Sequence, residues 1–179
     1  LGDTIAIDGT VTRLNGKTIN GLATILLKQN GVNYFVDTTP IINSQLDYSY
    51  ITVSNPAGKY NIDIQANDVY GNQFLFENIL SLEITDKIGV TAEVDRSNVN
   101  PYEKIKVFGK AETLLKRTIE LGNIKLELDK EVFKTRLGKN QAYEYEIELK
   151  GDIKAGEHTI NVNIEDSLGN HGENQTTFT

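Results

Sequence analysis

Apolar and polar residues alternate with a period of two along most of this chain. Tyr60, Ile62, Ile64 and Ala66 fall on one face of a segment whose other face carries Asn61, Asp63 and Gln65. The same holds for Ile105, Val107, Gly109 and Ala111 against Lys104, Lys106, Lys110 and Glu112. Tyr143, Tyr145, Ile147 and Leu149 alternate with Glu144, Glu146 and Glu148, and His158, Ile160, Val162 and Ile164 with Thr159, Asn161 and Asn163. Half-buried antiparallel strands read this way, and no stretch shows the 3.6-residue stripe of a helix. Turn residues separate the strands. Asn30-Gly31 predicts a type I′ hairpin, which needs φ > 0 at both central positions. Asn55–Gly58 and Gly151–Gly156 interrupt the pattern before the best strands, and Asp68–Asn72 and Asp166–Asn170 interrupt it after them. The count is about seven strands per complete module, the number of an immunoglobulin-like sandwich.

The pattern occurs twice. AGKYNIDIQANDVYGN at 57–72 returns as AGEHTINVNIEDSLGN at 155–170, and DTIAIDGTVT at 3–12 is echoed by EKIKVFGKAE at 103–112. Ile5, Ile7 and Gly9 answer Ile105, Val107 and Gly109. A repeat of roughly 100 residues is a whole sandwich, not a solenoid unit. The expected fold is therefore all-β, two tandem immunoglobulin-like antiparallel β-sandwiches over residues 1–86 and 87–179. Repeat two has a lead-in strand at Val90–Asp95 that repeat one lacks. Either the sequence was cut there or repeat one receives a strand from elsewhere, which would leave a sheet edge open to strand addition. Only Asp86-Lys87-Ile88-Gly89 separates the two strand sets, too few residues for a loose tether.

Composition narrows the function classes. A net charge of −7 argues against nucleic acid as a partner. The chain has no cysteine, methionine or tryptophan, which excludes disulfides, thiolate metal sites and cysteine nucleophiles. No apolar run is long enough for a membrane-spanning helix. The chain opens at Leu1, and we read it as a mature or excised piece of a longer protein. There is no Gly-x-Ser-x-Gly elbow, phosphate loop or His-Glu-x-x-His motif, so no catalytic constellation is expected.

The opening GDTIAIDGTVTRLNGKTINGLATILL and the closing AGKYNIDIQANDVYGN of repeat one resemble the prokaryotic immunoglobulin-like and macroglobulin-like modules of bacterial and archaeal surface proteins. Repeat two departs in its middle, LLKRTIELGNIKLEL, and at His158, where the resemblance calls for tyrosine. What the resemblance implies is a stalk, adhesin or envelope module at the cell surface, with neighbouring repeats as its partners.

Each candidate site residue has a structural reading beside a functional one. Tyr60 opens its strand after a turn and two residues before Ile62, which predicts a hydroxyl anchored on upstream backbone. His158 is its counterpart and reads as a corner residue, while His171 reads as a solvated loop residue. In the two Asp-x-x-Gly-Asn turns, Asp68 and Asp166 are expected to cap backbone N–H groups, Gly71 and Gly169 to supply positive φ, and Asn72 and Asn170 to tolerate it. The alternative is calcium, for which Asp86, Asp166 and Asn170 at the module junction are the candidate ligands. One carboxylate per turn favours the turn reading. Tyr48 and Tyr50 echo Tyr143 and Tyr145 as Tyr-x-Tyr pairs, expected to share a packing role, with sugar stacking as the alternative. Lys104 or Lys106 facing Asn174 on the last strand raises an isopeptide bond, though both lysines read as outward. Asn174-Gln175-Thr176 is a glycosylation sequon. The function read from the sequence is a non-enzymatic stalk or adhesive segment, with a calcium- or glycan-dependent binding module, or accessory domains of a secreted enzyme, as alternatives.

Overall fold

The computed structural model describes residues 1–179. It contains strands and no helix, every extended ladder is antiparallel, a parallel bridge joins Lys87 to His171, and the chain divides into two compact units, Leu1–Thr85 and Asp86–Thr179.

Unit 1 holds six strands: β1 (Thr4–Thr10), β2 (Gly21–Gln29), β3 (Val32–Ile42), β4 (Gln45–Ile51), β5 (Gly58–Asp68) and β6 (Gln73–Ile84). Their hydrogen-bonded order is β1-β4-β3-β2-β5-β6. The β3–β4 ladder is confined to Ile41–Leu46 and Ile42–Gln45, at the tip of their hairpin. That narrow link lets the β1–β4 pair fold over the other four strands. Ile7, Ala23, Ile25, Leu27, Leu46, Ile62 and Ile64 from both layers meet in one core. The β2–β3 turn has φ of 52° at Asn30 and 78° at Gly31, so both central residues take the left-handed conformation that a type I′ hairpin requires.

Unit 2 is a two-layer sandwich. One sheet runs β11 (Glu131–Arg136), β10 (Asn123–Leu128), β13 (His158–Glu165), β14 (His171–Phe178). The other runs β12 (Ala142–Glu148), β9 (Lys104–Thr113) and β7 (Ile88–Val90), with β8 (Glu93–Val94) also on β9. Strands β7 and β8 are two halves of one edge strand, and with them the unit has the immunoglobulin-like arrangement of a three-stranded sheet over a four-stranded one. Ile105, Val107, Ile124, Leu126, Ile147, Ile160, Val162 and Ile164 fill the space between.

Three details differ from the sequence reading. The edge strand begins at Ile88, so Ile88 and Gly89 are strand and not linker. Asp86 falls in unit 2, where its carbonyl accepts the His171 N–H at 2.7 Å. The tyrosine pairs are also offset. Tyr48 lies opposite Ile7 and Tyr145 opposite Val107, while Tyr50 answers Ile147 and Tyr143 answers Leu46. An even slip of register keeps every side chain on its face, so alternation alone cannot detect it. All four tyrosines pack on the cores of their own units.

Candidate functional site

The best-defined polar constructions are the two Asp-x-x-Gly-Asn turns, each closing a core hairpin. In unit 1, Asp68 Oδ1 accepts the N–H groups of Tyr70 and Asn72, both at 2.9 Å. Its Oδ2 accepts the Asn72 side-chain amide at 2.8 Å and the Arg13 guanidinium at 2.7 Å. The Arg13 guanidinium lies over the Tyr70 ring, 5.0 Å from its centroid. The Asn72 amide first, then the Asn72 N–H, Arg13 and the Tyr70 N–H, hold the Asp68 carboxyl well below the usual carboxylate range against the opposing effect of burial.

Unit 2 repeats the clamp. Asp166 Oδ1 accepts the Leu168 and Asn170 N–H groups at 2.8 and 2.9 Å, and its Oδ2 accepts the Asn170 amide at 2.7 Å. Gly71 and Gly169 alone take positive φ, at 85° and 82°. Asn72 and Asn170 do not, contrary to the sequence expectation. Their value lies in the side-chain amide, which closes a ring onto the aspartate two-handedly with the backbone N–H. Both oxygens of Asp166, one of the calcium candidates, are occupied this way. Asp86 sits beside His171, with Oδ2 3.6 Å from Nδ1, and no group of three or more histidines and carboxylates gathers anywhere in the chain.

The second construction is the corner before β5. Tyr60 is buried, and its hydroxyl donates to the Pro56 carbonyl at 2.7 Å. Tyr34 meets its ring edge-on at 5.8 Å. In unit 2 His158 takes over the position. Its Nε2 lies 2.7 Å from the Lys154 carbonyl, the same four-residue reach as Tyr60 to Pro56. A carbonyl only accepts, so Nε2 carries the proton. The ring also stacks on Phe178 at 5.3 Å and turns Nδ1 toward Asp129, 3.4 Å away. Sequence reading identified His158 as a corner residue but not that it reproduces the tyrosine's tether. The equal spacing from Pro56 to Tyr60 and from Lys154 to His158 was the available signal.

A third polar group corrects the sequence reading, which put Asp63 with Asn61 and Gln65 on the polar, outward face of its strand. Asp63 is buried on β5, bonded to the Asn78 N–H at 2.7 Å and paired with Lys28. Burial pushes its carboxyl up, but Asn78 and Lys28 outweigh that and hold it below the usual range. The group pins a bulge in β6, where the ladder with β5 shifts register after Ile62.

Elsewhere the polar residues face solvent or their neighbours. Lys104 pairs with Glu146 at 2.7 Å and Lys106 with Glu144 at 3.6 Å, while the Asn174 amide donates to the Val90 carbonyl at 2.6 Å. The lysines thus sit outside the core, apart from the asparagine to which an isopeptide would join them. Tyr143 donates to the Thr91 carbonyl at 2.8 Å, and burial pushes its hydroxyl up to about 12.

No protein family profile and no curated protein matches the sequence. Solved structures do. A 1.5-MDa bacterial ice-binding adhesin shares 17% identity at a TM-score of 0.39, over 99% of this chain and 57% of that one. A tetra-tandem repeat from the extending region of a large adhesion protein shares 13% at 0.41, over 100% of this chain and 50% of that one. The alpha-2-macroglobulin of E. coli shares 11% at 0.43, over 99% of this chain and 13% of that one. The chain therefore spans about half the length of the adhesin structures it matches. Bacterial adhesin repeats and macroglobulin-like domains are among its structural neighbours.

Proposed function

We propose that this chain is a non-enzymatic structural segment of an extracellular or cell-surface protein, a stalk or filament piece built of two immunoglobulin-like domains and joined to further repeats. The observation that carries this reading is the course of the terminal strands of unit 2. The edge strand and β14 run parallel: Lys87 bridges His171 at one end, and Val99 N–H donates to the Thr179 carbonyl at the other. Tension applied between Asp86 and Thr179 draws parallel strands past each other, so their bonds and those to β9 are loaded together in shear instead of opening one at a time.

The polar residues support the same reading. Asn72, Asp166, Asn170, Tyr60 and His158 bond within their own turns, and Asp68 does so while also holding Arg13. That chemistry stiffens hairpin ends. The test is single-molecule pulling of the chain between marker domains of known strength. Unit 2 is expected to open as a discrete event at a force comparable to other shear-loaded sandwiches. Release at the low force of strands peeled one by one would overturn the reading, as would specific binding in calcium calorimetry or on a glycan array.

A further inference from the structure

Strands β1 and β6 stand at the two ends of the unit 1 strand order, so each has an edge with no strand beside it. In unit 2 the corresponding place is filled. Strands β7 and β8 pair with β9, Thr91 N–H donates to the Lys110 carbonyl and Asp95 N–H to that of Lys106, and β7 also lies against β14. Val90, Ala92 and Val94 of this edge strand pack on the unit 2 core.

Three features of unit 1 match that missing neighbour. The first is Gly9. A Cβ added at Gly109 would fall 1.9 Å from the Thr91 carbonyl oxygen, so the glycine there makes room for the backbone of the edge strand. Gly9 holds the same place in β1, yet nothing lies within 4 Å of a Cβ added to it, and its φ is not positive. Glycine inside a strand weakens it, and unit 1 by itself makes no use of this one.

The second is the inner face of β6. Phe74, Phe76, Leu80 and Leu82 lie opposite the buried Ala66, Ile64, Ile62 and Tyr60 and share their face. Phe76 is nevertheless 40% exposed and Leu80 51%. The matching residues of β14, opposite Ile164, Val162 and Ile160, are Gly172, Asn174 and Thr176, small or polar beneath the edge strand. Ile5, too, is only half-buried where Ile105 is fully buried. The third is Leu1. Its nitrogen donates to the Thr85 carbonyl at 2.7 Å, as Val99 donates to Thr179 at 2.9 Å. Leu1 thus stands where the unit 2 chain has just left its edge strand.

We propose that the β1 edge and the apolar face of β6 seat one further strand, antiparallel to β1, with a carbonyl against Gly9 and alternate apolar side chains over Phe76 and Leu80. We assign that strand to polypeptide joined through the Leu1 nitrogen, because the Leu1–Thr85 bond places Leu1 at the exit of such a strand. Its chemistry is that of Ile88, Val90, Ala92 and Val94: extended, uncharged on the inner face, apolar at every second residue. One difference from unit 2 follows from Phe74. A Cβ at Gly172 would come 2.1 Å from the Ile88 carbonyl, so a side chain at that place keeps a strand off the β6 backbone. The seated strand therefore bonds to β1 and covers the β6 rings through side chains.

The experiment extends the 179-residue chain before Leu1 with a copy of residues 88–98, beside a control extension carrying aspartate in place of the copied Val90 and Val94. The apolar extension is expected to raise the unit 1 melting temperature by about 4 °C or more, slow amide exchange along β1 and lower the fluorescence of a hydrophobic dye. The control is expected to do none of these. Gly9→Val in the extended chain is expected to abolish the gain while leaving the melting of the unextended chain unchanged or raised. Equal effects of both extensions, no effect of either, or a gain that survives Gly9→Val would each overturn the proposal. A dimer of the unextended chain in light scattering, with β1 amides already protected, would assign the seat to a second copy and overturn the proposed source.

Discussion

Replacing Tyr60 with phenylalanine isolates the hydroxyl tether of unit 1. The ring stays buried and keeps its edge-on contact with Tyr34 at 5.8 Å. Only the 2.7 Å bond to the Pro56 carbonyl is lost. One intramolecular hydrogen bond contributes about 0.5–1.5 kcal/mol net. The Pro56 carbonyl lies at a partly buried corner, where water reaches it in the variant, so the lower half of that range applies. For a unit of this size about 1 kcal/mol moves the melting temperature by roughly 4–8 °C, and Tyr60→Phe is expected to lower the unit 1 transition by about 2–8 °C. Tyr60→Ala also removes the ring and leaves a cavity, at a cost of about 3–5 kcal/mol. Calorimetry of the full chain, with the transitions assigned by amide exchange, separates the two units, and the denaturant slope should not change. An unshifted Tyr60→Phe transition would refute the tether. A loss as large as that of Tyr60→Ala would show that the hydroxyl holds the ring in place rather than the corner.

Two further outcomes are expected. The Asp68 carboxyl sits below its unfolded value, so its contribution to stability is fully present above about pH 4 and is lost as pH falls further toward the folded value. Asp68→Asn should lower stability at neutral pH and flatten the acid limb below pH ~4, and an unchanged acid limb in urea titrations would sink the clamp argument. Gly172→Ala drives a methyl to 2.1 Å from the Ile88 carbonyl and should push β7 from β14. Overpacking of this kind costs about 1–3 kcal/mol, read as a lower unit 2 transition and faster exchange at β7 amides, and a silent substitution would contradict the packing described.

Much of this fold was legible because its signals are local. Alternation places Ile62, Ile64, Val107 and Ile160 in the core, and Asn30-Gly31 marks its hairpin, since side-chain facing and turn φ are set by a few adjacent residues. The turn aspartates were legible for the same reason. Pairing partners were not. Tyr48 and Tyr50 resemble Tyr143 and Tyr145 in pattern, yet they pair one step along the ladder, because a period of two carries no information about an even slip. The role of the turn asparagines was misread because an amide that bonds a carboxylate and a residue that tolerates positive φ look alike in a sequence. Asp63 was hidden by its outward position on an alternating strand, which gives no sign that Lys28 and the Asn78 N–H will converge on it.

The bond from Leu1 to Thr85 also decides how far unit 1 reaches. Leu1 and Thr85 lie side by side, 2.7 Å between nitrogen and oxygen, so the path from one to the other returns on itself. Unit 2 differs: the chain enters beside His171 and leaves at Thr179, and the intervening strand contributes about 25 Å at ~3.3 Å per residue. A strand lying antiparallel to β1 would move the entrance of unit 1 to the far end and give it a comparable span. Strand addition would then set the length of unit 1 as well as its stability.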